Sequence, residues 1–224
     1  MSTPLLPQAF WFRLAAPCRR IEGIPRTGSR GRLLDLPEEC ALPDFAQLEG
    51  RTSWARVRVA WNANGLGVAV EVSGKAGPIV YDPDRPHASD GVQLWVDTRD
   101  TRNVHRATRF CHSFSVLLIP NSTGKSLRVQ LAQKPIHRAG ADAPLCRPDA
   151  IAARAEVVRK GWWLELFLPA EVLHGFDPDT NRRLGFNYQV TDGERDDQFL
   201  TIGREFPIGE DPSLWSTLEL RDDG

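Results

Sequence analysis

The chain has 224 residues, with 28 basic and 29 acidic side chains and a net charge of −1. So even a balance excludes a broad positive field, and neither nucleic acid nor a membrane is expected as a partner. The length suits a single domain spanning 1–224, which would bury about 70% of its unfolded surface; no apolar run approaches the roughly 20 residues that cross a bilayer.

The opening stretch is broken by Pro4 and Pro7 and meets Arg13 where an apolar segment would continue, so no export signal is readable. A cytoplasmic location is the expectation. Cys18, Cys40, Cys111 and Cys146 are scattered, without the close pairs that grip zinc or exchange disulfides, and are expected to be reduced. Residues 10–14 read as an edge strand. Residues 19–32 carry three glycines, one proline and five arginines and read as an extended loop whose charge keeps it hydrated. Together, residues 1–49 form an N-terminal strand with extended loops, and the core falls at about 50–222.

From Trp54 the alternation sharpens. Val57, Val59 and Trp61 share one strand face, as do Leu66, Val68, Val70 and Val72, and the Asn62-Ala63-Asn64-Gly65 link favours a tight hairpin. A rigid polar loop with Asp82, Pro83, Asp84, Pro86 and His87 leads into a strand at 90–97, and a second polar loop covers 98–109. Strands follow at 112–119 and 127–132, joined by a turn through Asn121-Ser122-Thr123-Gly124. A hairpin at 151–158 and 162–168 ends at Pro169, before a helical turn at 170–174. Adjacent Trp162 and Trp163 face opposite sides, one in the core and the other exposed or covered by a loop. Further strands are expected at 184–192, 199–202 and 216–220. About ten short strands with one or two helical turns indicate an all-β antiparallel sandwich of the jelly-roll kind.

The strands DGVQLWVD (90–97) and LGFNYQVTD (184–192) carry the functional signal. Val92, Leu94 and Val96 share one face with Phe186, Tyr188 and Val190 as their counterparts; Gln93, Trp95 and Asp97, like Asn187, Gln189 and Thr191, lie on the other face. A large aromatic among planar amides can hold a sugar, whose hydroxyls need hydrogen-bond partners. The same pattern also fits a second layer of core, with Trp95 packed beneath the arginine-rich loop.

In their order, RVRVAWNANGLGVAVEV (56–72), SDGVQLWVD (89–97), GWWLELFLP (161–169), LGFNYQVTD (184–192) and DPSLWSTLEL (211–220) resemble the carbohydrate-binding modules of family 9, within the wider DOMON-like sandwiches. The resemblance implies a non-catalytic saccharide-binding domain. It places one clamping aromatic at His87 and another near Gly209, so the tryptophan clamp of relatives is absent, and a carboxylate of theirs becomes Gln93. Because acidic loops in relatives bind calcium, a structural Ca2+ on Asp82, Asp84 and Asp90 is the one cofactor candidate, with Glu194, Asp196 and Asp197 a second acidic loop. Haem is not expected, since Met1 is the only methionine and no histidine matches an axial position.

The segment NVHRATRFCH (103–112) has no counterpart in those relatives. Arg106 and Arg109 could grip a carboxylate or phosphate, and His112 completes the ligand-binding set with His87, Gln93, Trp95, Asn187 and Gln189. The alternative is that its arginines tie the loop to Asp97 and Asp100. Cys111 and His112 are strand neighbours that point apart, and no catalytic residue is expected. The expected partner is a saccharide or similar small ligand; the rival reading is a structural sandwich that contacts a protein partner.

Overall fold

The computed structural model describes residues 14–222 except 29–30, 46–49, 51 and 125. The expected strand at 10–14 therefore lies outside the described residues, apart from Leu14. The described residues form eleven strands and five short 3-10 turns, with no α-helix among them.

The strands are β1 (Ala15–Arg20), β2 (Ala55–Asn62), β3 (Gly65–Ser73), β4 (Gly91–Asp97), β5 (Cys111–Pro120), β6 (Leu127–Lys134), β7 (Ala152–Val158), β8 (Gly161–Pro169), β9 (Arg183–Asp192), β10 (Arg195–Phe199) and β11 (Ser216–Arg221). Their hydrogen-bonded order is β6-β5-β4-β9-β11-β1-β2-β3-β8-β7, with β10 on the side of β9. The path folds over so that β6 approaches β7, giving a flattened, nearly closed sandwich. All pairings are antiparallel except those of β1, which runs parallel to both β11 and β2 and joins the two halves.

The β2–β3 hairpin turns at Ala63-Asn64, where the Asn62 side chain accepts the Asn64 N–H at 2.9 Å. Gly65 is required there, since a Cβ would fall 2.2 Å from the Leu168 carbonyl oxygen on β8. The main core lies between the sheets. Val59, Trp61, Leu66, Val68, Leu164 and Leu166 meet Val92, Leu94, Val96, Phe114, Phe186 and Val190, all buried, as period-two alternation requires.

Each sheet also carries a smaller apolar layer on its outer face. Over β2, β3 and β8, Ile24, Leu34, Leu36 and Cys40 pack on Ala60, Ala69 and Phe167. Thus the segment expected to be a hydrated loop is partly strand, since Arg19 and Arg20 belong to β1, and partly an anchored cover. Buried Glu165 fixes it by accepting the backbone N–H groups of Leu33, Leu34 and Asp35 at 2.5, 3.0 and 3.2 Å. Trp162 is core, and Trp163 is roofed by the Arg32 guanidinium, 4.1 Å from a ring centroid.

His112 is fully buried on the inner side of β5, stacked near Phe114, with Gln133 Nε2 at 3.2 Å from Nδ1 and the His174 carbonyl at 3.4 Å from Nε2. Such surroundings suit the neutral ring, and burial pushes its pKa down to about 4. The unfolded chain protonates this histidine near 6.5. It therefore binds more protons than the folded chain between these values, and His112's contribution to stability is lost as pH falls from 6.5 towards 4. The expected loss is about 3 kcal/mol. Urea titrations across that range should show a shallower decline for His112→Gln than for the natural chain; parallel declines would contradict this.

Candidate functional site

The outer face of the β5-β4-β9-β10 sheet is ordered in rows. Ser113, Trp95 and Asn187 stand abreast, and Ser115, Gln93, Gln189 and Phe199 form the next row. The rows differ in what covers them.

The first row is dry. Trp95 is only 6% exposed and packs with Ala107, Cys111, Ile136, Ile202, Ile208 and Trp215. Trp215 fixes this cover by donating its Nε1–H to the Ile208 carbonyl at 2.7 Å. Gly209, where the resemblance places a clamping aromatic, passes over the indole: a Cβ there would lie 3.7 Å from Trp95 Cζ2. Asn187 is fully buried, and its side-chain oxygen accepts the Tyr188 N–H at 2.8 Å. Neither Trp95 nor Asn187 offers a surface to a ligand, because of the two readings of this face the second apolar layer is the one realised here.

The second row is wet at one end. Gln93 is half-buried and donates to Ser113 Oγ at 2.8 Å, while Gln189 donates to Asp197 Oδ2 at 3.0 Å and Thr191 Oγ1 at 3.2 Å. Beside them opens a cleft of about 460 Å³, whose lining includes His87, Thr191, Asp197, Phe199, Arg204 and Glu205. Arg204 is ion-paired with Asp197, and Glu205 accepts the Gly203 N–H at 3.1 Å. His87 sits in a 3-10 turn, Pro86–Ala88, at the rim. Sequence reasoning put Thr191 on this outer face but missed Phe199, Arg204 and Glu205, having expected the strand at 199–202 when β10 ends at Phe199.

One wall of the cleft rests on a buried ion cluster. Lys75 Nζ lies 2.7 Å from Asp192 Oδ1 and 3.1 Å from Asp90 Oδ2, with all three side chains nearly inaccessible. Asp90 also accepts Val80 N–H at 2.8 Å and Gly193 N–H at 2.9 Å, and Arg195 Nε donates to Asp192 Oδ2 at 2.8 Å. Burial pushes the Asp192 carboxyl up, yet bonds from Lys75 and Arg195 outweigh it and hold the group below the usual carboxylate range.

The three aspartates expected to hold calcium do not form a ligand set. Asp90 is committed to Lys75, while Asp82 accepts Arg85 Nε at 2.8 Å and the N–H groups of Asp84 and Arg85 in a surface turn. Among the described residues no group of three His, Cys, Asp or Glu side chains could hold a metal. An ammonium supplies the positive charge that the buried carboxylates require.

The remaining expected ligand residues are dispersed. His112 is inside the core; Arg109 stacks 5.1 Å from the Phe110 centroid; Arg106 lines a different cleft. Asp97 accepts the N–H groups of Arg99 and Thr101, and Asp100 pairs with Arg102 and Arg183, so Arg106 and Arg109 do not tie the loop to these aspartates. Cys111 faces the outer layer, opposite His112, and burial pushes its thiol up to about 12. All four cysteines are free thiols.

No protein-family model and no curated protein matches this sequence. Among solved structures, a carbohydrate-binding module of family 9 from Caldicellulosiruptor kristjanssonii in complex with cellotriose shares 14% identity, covering 94% of this chain and 95% of its own, with a TM-score of 0.58. A family 9 module from the same organism in complex with glucose shares 16% identity over 76% and 78% of the two chains, with a TM-score of 0.53. The chain therefore has a fold like that of the family 9 modules, as the ordered strand motifs imply.

Replacing the central ammonium tests the cluster beside the cleft. Lys75→Met leaves two buried carboxylates facing each other and is expected to lower the unfolding free energy by about 3–5 kcal/mol. Urea denaturation at neutral pH measures it; a loss below about 1 kcal/mol would show that the carboxylates do not depend on Lys75.

Proposed function

We propose that the protein is a non-catalytic saccharide-binding domain whose ligand seats in the cleft between His87, Phe199 and Arg204. The observation that carries this reading is the row Gln93, Gln189, Phe199, which runs from sheet to cleft and ends in a ring beside planar polar groups. A pyranose presents an apolar C–H face and equatorial hydroxyls; an aromatic ring meets the first, and amide, carboxylate and guanidinium groups meet the second. Thr191, Asp197 and Arg204 supply a donor-acceptor set of that kind. The volume suits one or two sugar rings, at the lower end for small-ligand sites.

The fold shared with modules solved with cellotriose and glucose supports the saccharide class. The cleft differs from a hydrolytic site, since Asp197 and Glu205 are both engaged by neighbours rather than held in the apolar setting that readies a general acid. Ligand contact moves from Trp95 to Phe199, a smaller ring, so weak binding is expected.

Calorimetric titration with glucose, cellotriose and other neutral oligosaccharides provides the test. Heat should be seen with at least one, Phe199→Ala should weaken it about tenfold, equivalent to about 1.4 kcal/mol, and Trp95→Phe should leave affinity within about twofold in a less stable protein. Silence across the panel, or equal affinity without the Phe199 ring, would refute the reading.

A further inference from the structure

A second cleft, of about 400 Å³, is lined by His105, Arg106, Arg138, Pro207, Glu210 and Asp211. It shares no lining residue with the saccharide cleft. Two His-Arg dipeptides, on the loop before β5 and on the turn after β6, meet one Glu-Asp dipeptide. His137 Nδ1 lies 2.9 Å from Glu210 Oε1, and His105 Nδ1 lies 3.0 Å from Asp211 Oδ2. Asp211 Oδ1 also accepts Ser213 N–H at 2.9 Å and Ser213 Oγ–H at 2.6 Å.

The histidines thus take the carboxylates, and the arginines are left over. Neither Arg106 nor Arg138 has a carboxylate partner among the described residues, whereas Arg102, Arg147 and Arg183 each have one. Arg106 is oriented by its Nε–H, which donates to the Arg138 carbonyl at 3.0 Å. That bond leaves its two terminal NH2 groups without a protein partner among the described residues. Arg138 occupies the left-handed region at φ 58°, where glycine would be relaxed, so the chain holds an arginine at a position that disfavours side chains.

We propose that this cleft binds the oxyanion of a small ligand, a carboxylate or phosphate group held between the Arg106 and Arg138 guanidiniums. A planar fork matches two oxygens of such a group in parallel bonds, which a lysine could not do. Glu210 and Asp211 contact the histidines and form no ion pair with either arginine among the described residues.

Titration of the full chain with inorganic phosphate and, separately, with glucuronate, in chloride buffer, tests this and identifies the source of the oxyanion. Binding in the millimolar range or tighter to either probe is expected, weakened about tenfold by Arg106→Gln and by Arg138→Gly. The glycine variant keeps the left-handed backbone, and thermal melts confirm folding. Phe199→Ala should leave phosphate affinity unchanged, so failure of the saccharide reading and of this one are separable. Absence of heat with both probes, or heat undiminished in the Arg106→Gln/Arg138→Gly double variant, would overturn the proposal.

Discussion

Strands β4 and β9 are covered on both faces, and this double burial decides where the molecule can act. Their inner side chains fill the main core, and Trp95 on the outer side anchors a second apolar layer with Trp215, Ile202 and Ile208. A buried tryptophan removes roughly 150–250 Å² from water, which at about 25 cal/mol per Å² amounts to about 4–6 kcal/mol. A sugar bound in the millimolar to micromolar range gains about 4–8 kcal/mol in all. Uncovering Trp95 would cost most of that gain. The open cleft lies at the polar end of the same face, where Thr191 and Phe199 line it, and that is where the proposed ligand would seat.

Charge is handled in a related way. Asp90 and Asp192 are drawn together by the loops that follow β3 and β9, and two inaccessible carboxylates so placed require a cation. Lys75 provides it from within the chain, and Arg195 closes the cluster from the rim, stacked 4.4 Å from a Trp54 ring centroid. The cluster ties the segments around 75, 90 and 193 together behind the wall of the cleft that Asp192, Gly193 and Arg195 line. Asp90 and Asp192 thus take part in a buried ion cluster that joins these segments.

Much of the fold was legible because period-two alternation is a direct physical signal. The β2–β3 hairpin, β4, β8 and β9 lie where Val, Leu and Trp alternate with polar residues. Strand β1 was not legible, since only Ala16 and Cys18 turn inward, both small, and Pro17 interrupts the pattern. Strand β10 was misplaced because its buried residue is Gln198, which bonds the backbone of Trp54 and Ala55 instead of filling core. The alternation of Gln93, Trp95 and Asp97 reads identically whether loops cover the face or leave it open. That ambiguity hid the burial of Trp95 and, with β10 out of phase, hid Phe199. Lys75 was missed for another reason: its partners lie 15 and 117 residues away.

The central claim is that a sugar meets this face at Phe199 and not at Trp95. A crystal structure of the protein soaked with cellotriose addresses it directly. The account predicts a pyranose against the Phe199 ring, within hydrogen-bond reach of Arg204 or Asp197, with residues 200–211 still closed over Trp95. A sugar stacked on Trp95 with that segment displaced would contradict it.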